Sequence, residues 1–171
     1  PNYWKYRRPY DIEKQEHIGE KTKIYVAADL SSVTDFASLS GVWFDEESGY
    51  YMSRTEFFFP RGSKMKIRKS GDIDLQYWID NKFIHYCDTE TIDEDFILKR
   101  VKSWANVFKV VYFGYDPMYS NHIITKVNQM KISTKPCPQR PMFFNLPLKW
   151  IEKQILERKM SIAIILGTRP E

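Results

Sequence analysis

Apolar and polar positions fall into three consecutive strand-like runs, followed by alternating strands and helices. The first run, Ile24-Tyr25-Val26-Ala27-Ala28, is long enough for a buried strand, and the pattern predicts β structure over 23–30. Two more runs follow at 37–45 and 50–59, the last stopping at Pro60. Between them, Asp45-Glu46-Glu47-Ser48-Gly49 is polar and closed by glycine, as a hairpin turn requires. The three runs therefore read as an antiparallel meander. Residues 1–22 are polar and aromatic without a clear period and read as an arm or linker.

The second half changes period. After a basic loop over 61–70, a short helix is expected around Ile73–Asn81, with Leu75, Trp78 and Ile79 on one side. Phe83 to Cys87 is a fourth strand candidate. Thr91-Ile92-Asp93-Glu94 has the T-x-x-E form of a capping box, and the helix it opens should run through Phe108. Ile97, Val101, Trp104 and Phe108 give that helix one apolar face. Lys109 to Tyr115 is apolar almost throughout, as expected of a parallel or central strand. It ends at Asp116, and Pro117 suits the first position of a helix running to about Met130. Residues 131–147 read as a proline-rich loop, Leu148–Arg158 as a helix and Ser161–Leu166 as a last apolar run. Three hairpin strands, then strand–helix–strand–helix, predict a mixed α/β sheet with helices on its faces. Such sheets carry their sites at strand ends, where Asp29, Asp93 and Asp116 all fall. There is no internal repeat.

Composition narrows the chemistry. The 171 residues suit one domain, and an aromatic content of 16% suits a globular one. The net charge of +4 permits an anionic partner without requiring one. Its basic residues cluster, however: Arg61, Lys64, Lys66, Arg68 and Lys69 stand together without an acid, and Lys5, Arg7 and Arg8 sit among Tyr3, Trp4 and Tyr6. Such a run can grip phosphates or can be a solvated loop. Cys87 and Cys137 form no CxxC, which points to a reducing, intracellular compartment and no thiolate zinc site. His17, His85 and His122 lack metal-binding spacing, and no GxxxxGK[ST] phosphate loop occurs. No stretch is long and apolar enough for a membrane span and no signal peptide is visible. A chain that begins at Pro1 reads as a piece of something longer.

Asp29 is the pivotal residue. A carboxylate beside a sheet core is costly without partners such as a metal, backbone N–H groups or a basic side chain. The plainer alternative is that Asp29 closes the turn into Ser31 and Ser32.

The meander, the Asp closing strand one and the later acids resemble the ribonuclease H-like nucleases. The detailed words resemble the nuclease domain of the large terminase subunit of tailed bacteriophages. They are Ala28-Asp29-Leu30-Ser31-Ser32-Val33-Thr34-Asp35, Phe57-Phe58-Phe59-Pro60, Trp78, Ile92-Asp93-Glu94-Asp95-Phe96-Ile97, Gly114-Tyr115-Asp116-Pro117, Gln139 and Pro147-Leu148-Lys149. The match covers roughly 23–160, with 1–22 as an arm and 161–171 as an atypical tail. The resemblance implies metal-dependent cutting of double-stranded DNA during genome packaging, with two ions, Mg²⁺ or Mn²⁺. It makes Asp29 and Asp93 catalytic metal ligands and Asp116 a further ligand or a helix cap. Glu56 and Asp95 are substitutes, and Asp35 is a supporting or turn residue. The basic residues Arg61, Lys64, Lys66, Arg68 and Lys69 are the expected DNA contacts. It also implies a preceding ATPase domain, a small terminase subunit, a portal and the cytoplasm of a bacterial host, with no membrane.

The family's third metal acid lies beyond the point where this chain changes character. Lys159 to Glu171 instead resembles the opening strand and GTRPE turn of UDP-N-acetylglucosamine 2-epimerases, as a truncation, shifted frame or fusion would produce. The fold is then expected intact and the metal site incomplete. The alternatives are a non-catalytic DNA-binding or packaging-interaction module, or another ribonuclease H-like nuclease.

Overall fold

The computed structural model describes residues 22–30, 36–60, 84–118 and 121–163. The basic loop, the expected helix around Ile73–Asn81, Asp35, most of the amino-terminal arm and the end of the tail lie outside these residues. The meander is as expected: β1 (Lys23–Asp29), β2 (Ala37–Asp45) and β3 (Tyr50–Pro60) pair antiparallel in sequence. Gly49 closes the β2–β3 turn with a φ of 70°, a region that favours glycine. Then come β4 (Ile84–Cys87), α1 (Glu94–Val107), β5 (Lys109–Tyr115), α2 (Asn121–Gln129), β6 (Thr134–Pro136), α3 (Pro141–Leu156) and β7 (Met160–Ala163). They form one mixed sheet in the order β4-β3-β2-β1-β5-β6, with β7 pairing β3. β4 and β7 are both parallel to β3, on its last and first residues respectively, and β5 lies parallel between β1 and β6.

Period-two alternation sends Ile24, Val26, Ala28, Leu39, Trp43, Met52 and Phe58 to one face, where α1 covers them with Ile97, Leu98, Val101 and Trp104. Gly41 permits the close fit: a Cβ there would meet Ile24 Cδ1 and Trp104 Cζ3 at 2.7 Å. β1 is thus buried on one face only. Tyr25, Phe44, Phe57 and Tyr112 on the other face are exposed, and α3 touches that side through Trp150 on Tyr51, centroids 5.0 Å apart.

Three local expectations need correction. α1 is capped by Asp93, whose Oδ1 accepts the Phe96 amide at 3.1 Å, so there is no Thr91–Glu94 box. Aspartate serves as well as threonine at that position, and two residues of register decide between them. The helix after β5 begins at Asn121 rather than Pro117, because Asp116 and Pro117 enter a separate turn. The 131–147 segment is not all loop. It holds β6, a three-residue edge strand that tolerates Pro136, and the first turns of α3. Pro141 starts α3, and Pro147 sits inside it along a stretch that is exposed throughout, where water can reach the carbonyl it leaves unpaired.

Candidate active site

β1, β3, β4, β5 and β6 run in the same direction, and their ends line one rim of the sheet. β1 and β5 pair Ala28 with Tyr115, so Asp29 and Asp116 leave neighbouring strands side by side. β4 ends at Cys87 beside Pro60 of β3, and the chain then turns through 88–92 to Asp93. β6 ends at Pro136 beside Tyr115, bringing Cys137–Arg140 over the same rim.

Each carboxylate has a different local commitment. Asp29 is exposed, and its Oδ1 accepts a hydrogen bond from Gln139 Nε2 at 3.2 Å. That donor is a neutral amide rather than a cation. Its loop is pinned by the Cys137 amide donating to Tyr115 O at 2.7 Å. Asp93 is half-buried and spends Oδ1 on the α1 cap. It also lies against Cys87, whose thiol pKa is raised by burial first and then by the nearby Asp93 and Asp88 charges. Asp116 Oδ1 accepts the Met118 amide at 3.0 Å, capping a turn rather than α2.

Glu56 belongs to a different environment. It points into the α1 face of the sheet with 1% of its side chain exposed. Arg100 Nε and Nη2 donate to its two oxygens at 2.7 and 2.6 Å, Arg54 Nη2 lies 2.7 Å away, and His85 Nε2 lies 3.3 Å away. Burial alone would raise the Glu56 pKa, but Arg100, His85 and Arg54 together hold it down at about 2. Its lone pairs are engaged, which removes it as a substitute metal ligand. Sequence reading missed this centre because Arg54, His85 and Arg100 carry no spacing signal; only folding brings β3, β4 and α1 together.

Among the described residues, no three His, Cys, Asp or Glu side chains gather closely enough to hold a metal ion. In kind the donors fit a hard cation: Asp29 offers an exposed carboxylate at a rim where Asp93 and Asp116 offer two more. In number the described residues fall short of a closed metal group, and Mg²⁺ commonly takes its remaining ligands from water and phosphate.

The model of the terminase large subunit endonuclease domain matches residues 15–163. The chain belongs to that family. The terminase nuclease domain superposes on the crystal structure of the HK97 bacteriophage large terminase with a TM-score of 0.76 at 13% identity, over 95% of this chain and 33% of that one. It therefore spans about a third of that terminase's length. The large terminase nuclease from thermophilic phage G20c with bound magnesium gives a TM-score of 0.51 at 10% identity, over 94% of this chain and 71% of that one. The same nuclease with bound zinc gives 0.50 at 9% identity, over 94% and 78%. At these identities the likeness shows the fold, a ribonuclease H-like mixed sheet. A search of curated proteins finds no match. Among the described residues no helix is long and apolar enough to cross a membrane.

Proposed function

We propose that this terminase nuclease domain is a divalent-metal-dependent endonuclease that cuts double-stranded DNA during phage genome packaging. The observation that carries the reading is the rim itself. Asp29, the exposed carboxylate closing β1, is held by a neutral amide and stands beside Asp116, with the Asp93 cap at the end of the β4 connection. Asp29 and Asp93 would hold Mg²⁺ or Mn²⁺, with Asp116 as a further donor. Two ions are the arrangement expected of the family. Such an ion, when bound, lowers the pKa of water and neutralises charge on a scissile phosphate. The chain's own part is to present carboxylate oxygens at one edge of the sheet, with Gln139 orienting Asp29.

Arg61, Lys64, Lys66, Arg68 and Lys69, which follow Pro60 in the sequence, are the proposed contacts to the DNA backbone. The motor ATPase, small terminase subunit and portal are the proposed partners, and the host cytoplasm the proposed setting. A second reading, DNA binding without cleavage, is favoured by the absence of a closed three-carboxylate group among the described residues.

Plasmid nicking with Mn²⁺, Mg²⁺ or EDTA separates the two. Nicking that needs the metal and stops with EDTA supports the nuclease. Salt-sensitive DNA binding with no nicking by the folded protein overturns it.

A further inference from the structure

The Glu56 centre joins three elements, and one of them carries a rim carboxylate. Arg100 lies on α1 seven residues beyond its cap, Asp93, which is about two turns and about 10 Å along the axis. Residues so spaced share a helix face, so rotation or sliding of α1 at Arg100 is transmitted to Asp93. A second path links the same points. His85, one of the Glu56 partners, stacks on Phe58 with centroids 5.3 Å apart. Phe96 meets both rings edge-on, at 5.4 Å from Phe58 and 5.6 Å from His85. The Phe96 amide is the donor that holds Asp93 Oδ1.

Adhesion of α1 to the sheet is already supplied by Ile97, Leu98, Val101 and Trp104, whose contacts are non-directional. A buried ion cluster adds little to adhesion, because desolvation offsets the Coulomb gain. The Nε of Arg54 is even buried with no hydrogen-bond partner, so the cluster is not tuned for stability alone. What a bidentate guanidinium–carboxylate fork does add is a single allowed geometry.

We propose that Glu56 and Arg100 are positioning residues: their fork fixes the register of α1 on the sheet and thereby holds Asp93 at the rim. The consequence for cleavage rests on the proposed role of Asp93; the registration itself does not.

The test compares the wild type with two variants. Arg100→Lys keeps the charge and loses the fork. Glu56→Leu/Arg54→Met/Arg100→Met removes the charges together and leaves no buried ion unpaired. Hydrogen exchange is read at the Phe96 amide and, as an internal reference, at the Trp104 amide. The expected result is at least tenfold faster exchange at Phe96 relative to Trp104 in both variants, while each unfolds cooperatively. Manganese-dependent nicking should fall at least tenfold in parallel, well below the melting temperature. Unchanged relative exchange at Phe96 overturns the proposal, and should the triple variant fail to fold, Arg100→Lys decides alone. A wild type that never nicks sinks the nuclease reading instead and leaves the exchange result to decide registration.

Discussion

Glu56 and Asp29 are both carboxylates on neighbouring parts of the meander, and they could hardly be more differently employed. Glu56 is sealed under α1 with both oxygens taken by guanidinium and imidazole groups. Asp29 stands at the open end of β1 with one oxygen touched by an amide. The first is fully compensated and has nothing to offer a cation. The second meets a neutral amide through one oxygen and leaves most of its lone pairs open. Burial with paired cations marks a structural acid, and exposure beside a neutral donor marks an available one. Acid count along the chain does not separate them.

The comparison breaks most visibly at Glu56. Glu56→Ala leaves Arg54 and Arg100 partly buried and unpaired, which should cost about 3–5 kcal/mol and lower the melting temperature by about 10 °C. Calorimetry reads this directly, and a loss of only a degree or two would show that the cations relax into solvent. The same cluster sets an acid limit. Its folded pKa of about 2 lies below the ordinary value of 4.5, so its stabilisation is present above about pH 4.5 and fades as pH falls towards 2. Glu56→Gln should flatten stability against pH over that window, and denaturant titrations at pH 5, 4 and 3 would show it.

At the rim the expected effects are smaller and fall on metal and DNA rather than on folding. Gln139→Ala removes the amide that orients Asp29. It should weaken Mn²⁺ binding about tenfold, as loss of a ligand's hydrogen-bond partner commonly does, with little change in stability. Isothermal titration of Mn²⁺ checks it, and an unchanged affinity would make the 3.2 Å bond incidental.

Much of this architecture is legible in the sequence where local pattern and tertiary demand agree. β2 runs over the predicted 37–45, β5 over Lys109–Tyr115, and the α1 apolar face keeps the predicted Ile97, Val101 and Trp104, with Leu98 added and Phe108 outside the helix as its extended C-cap. Prolines mislead where the competing constraint is context. Pro117 looks like a helix start and is a turn, while Pro147 looks like the end of a loop and is a helix interior. β6 is three residues long and depends on pairing with β5, which no local pattern encodes. At the site, the sequence places Asp29, Asp93 and Asp116 near strand ends, and folding sets those ends on one edge of the sheet without gathering the three carboxylates into a metal-binding group. It cannot show that Gln139 reaches back across the chain to Asp29, or that Arg54, His85 and Arg100 converge on Glu56. Those are long-range meetings of residues whose types are common everywhere.

The most direct test of the central claim is Asp29→Asn beside the wild type in Mn²⁺-dependent plasmid nicking. The substitution keeps the side chain's shape and its capacity to accept from Gln139 while removing the charge a cation needs. Loss of nicking to the EDTA background, with melting temperature and DNA binding retained, is the predicted result. Metal-dependent nicking at the wild-type rate would mean that Asp29 is a turn residue and that the rim is not the place where DNA is cut.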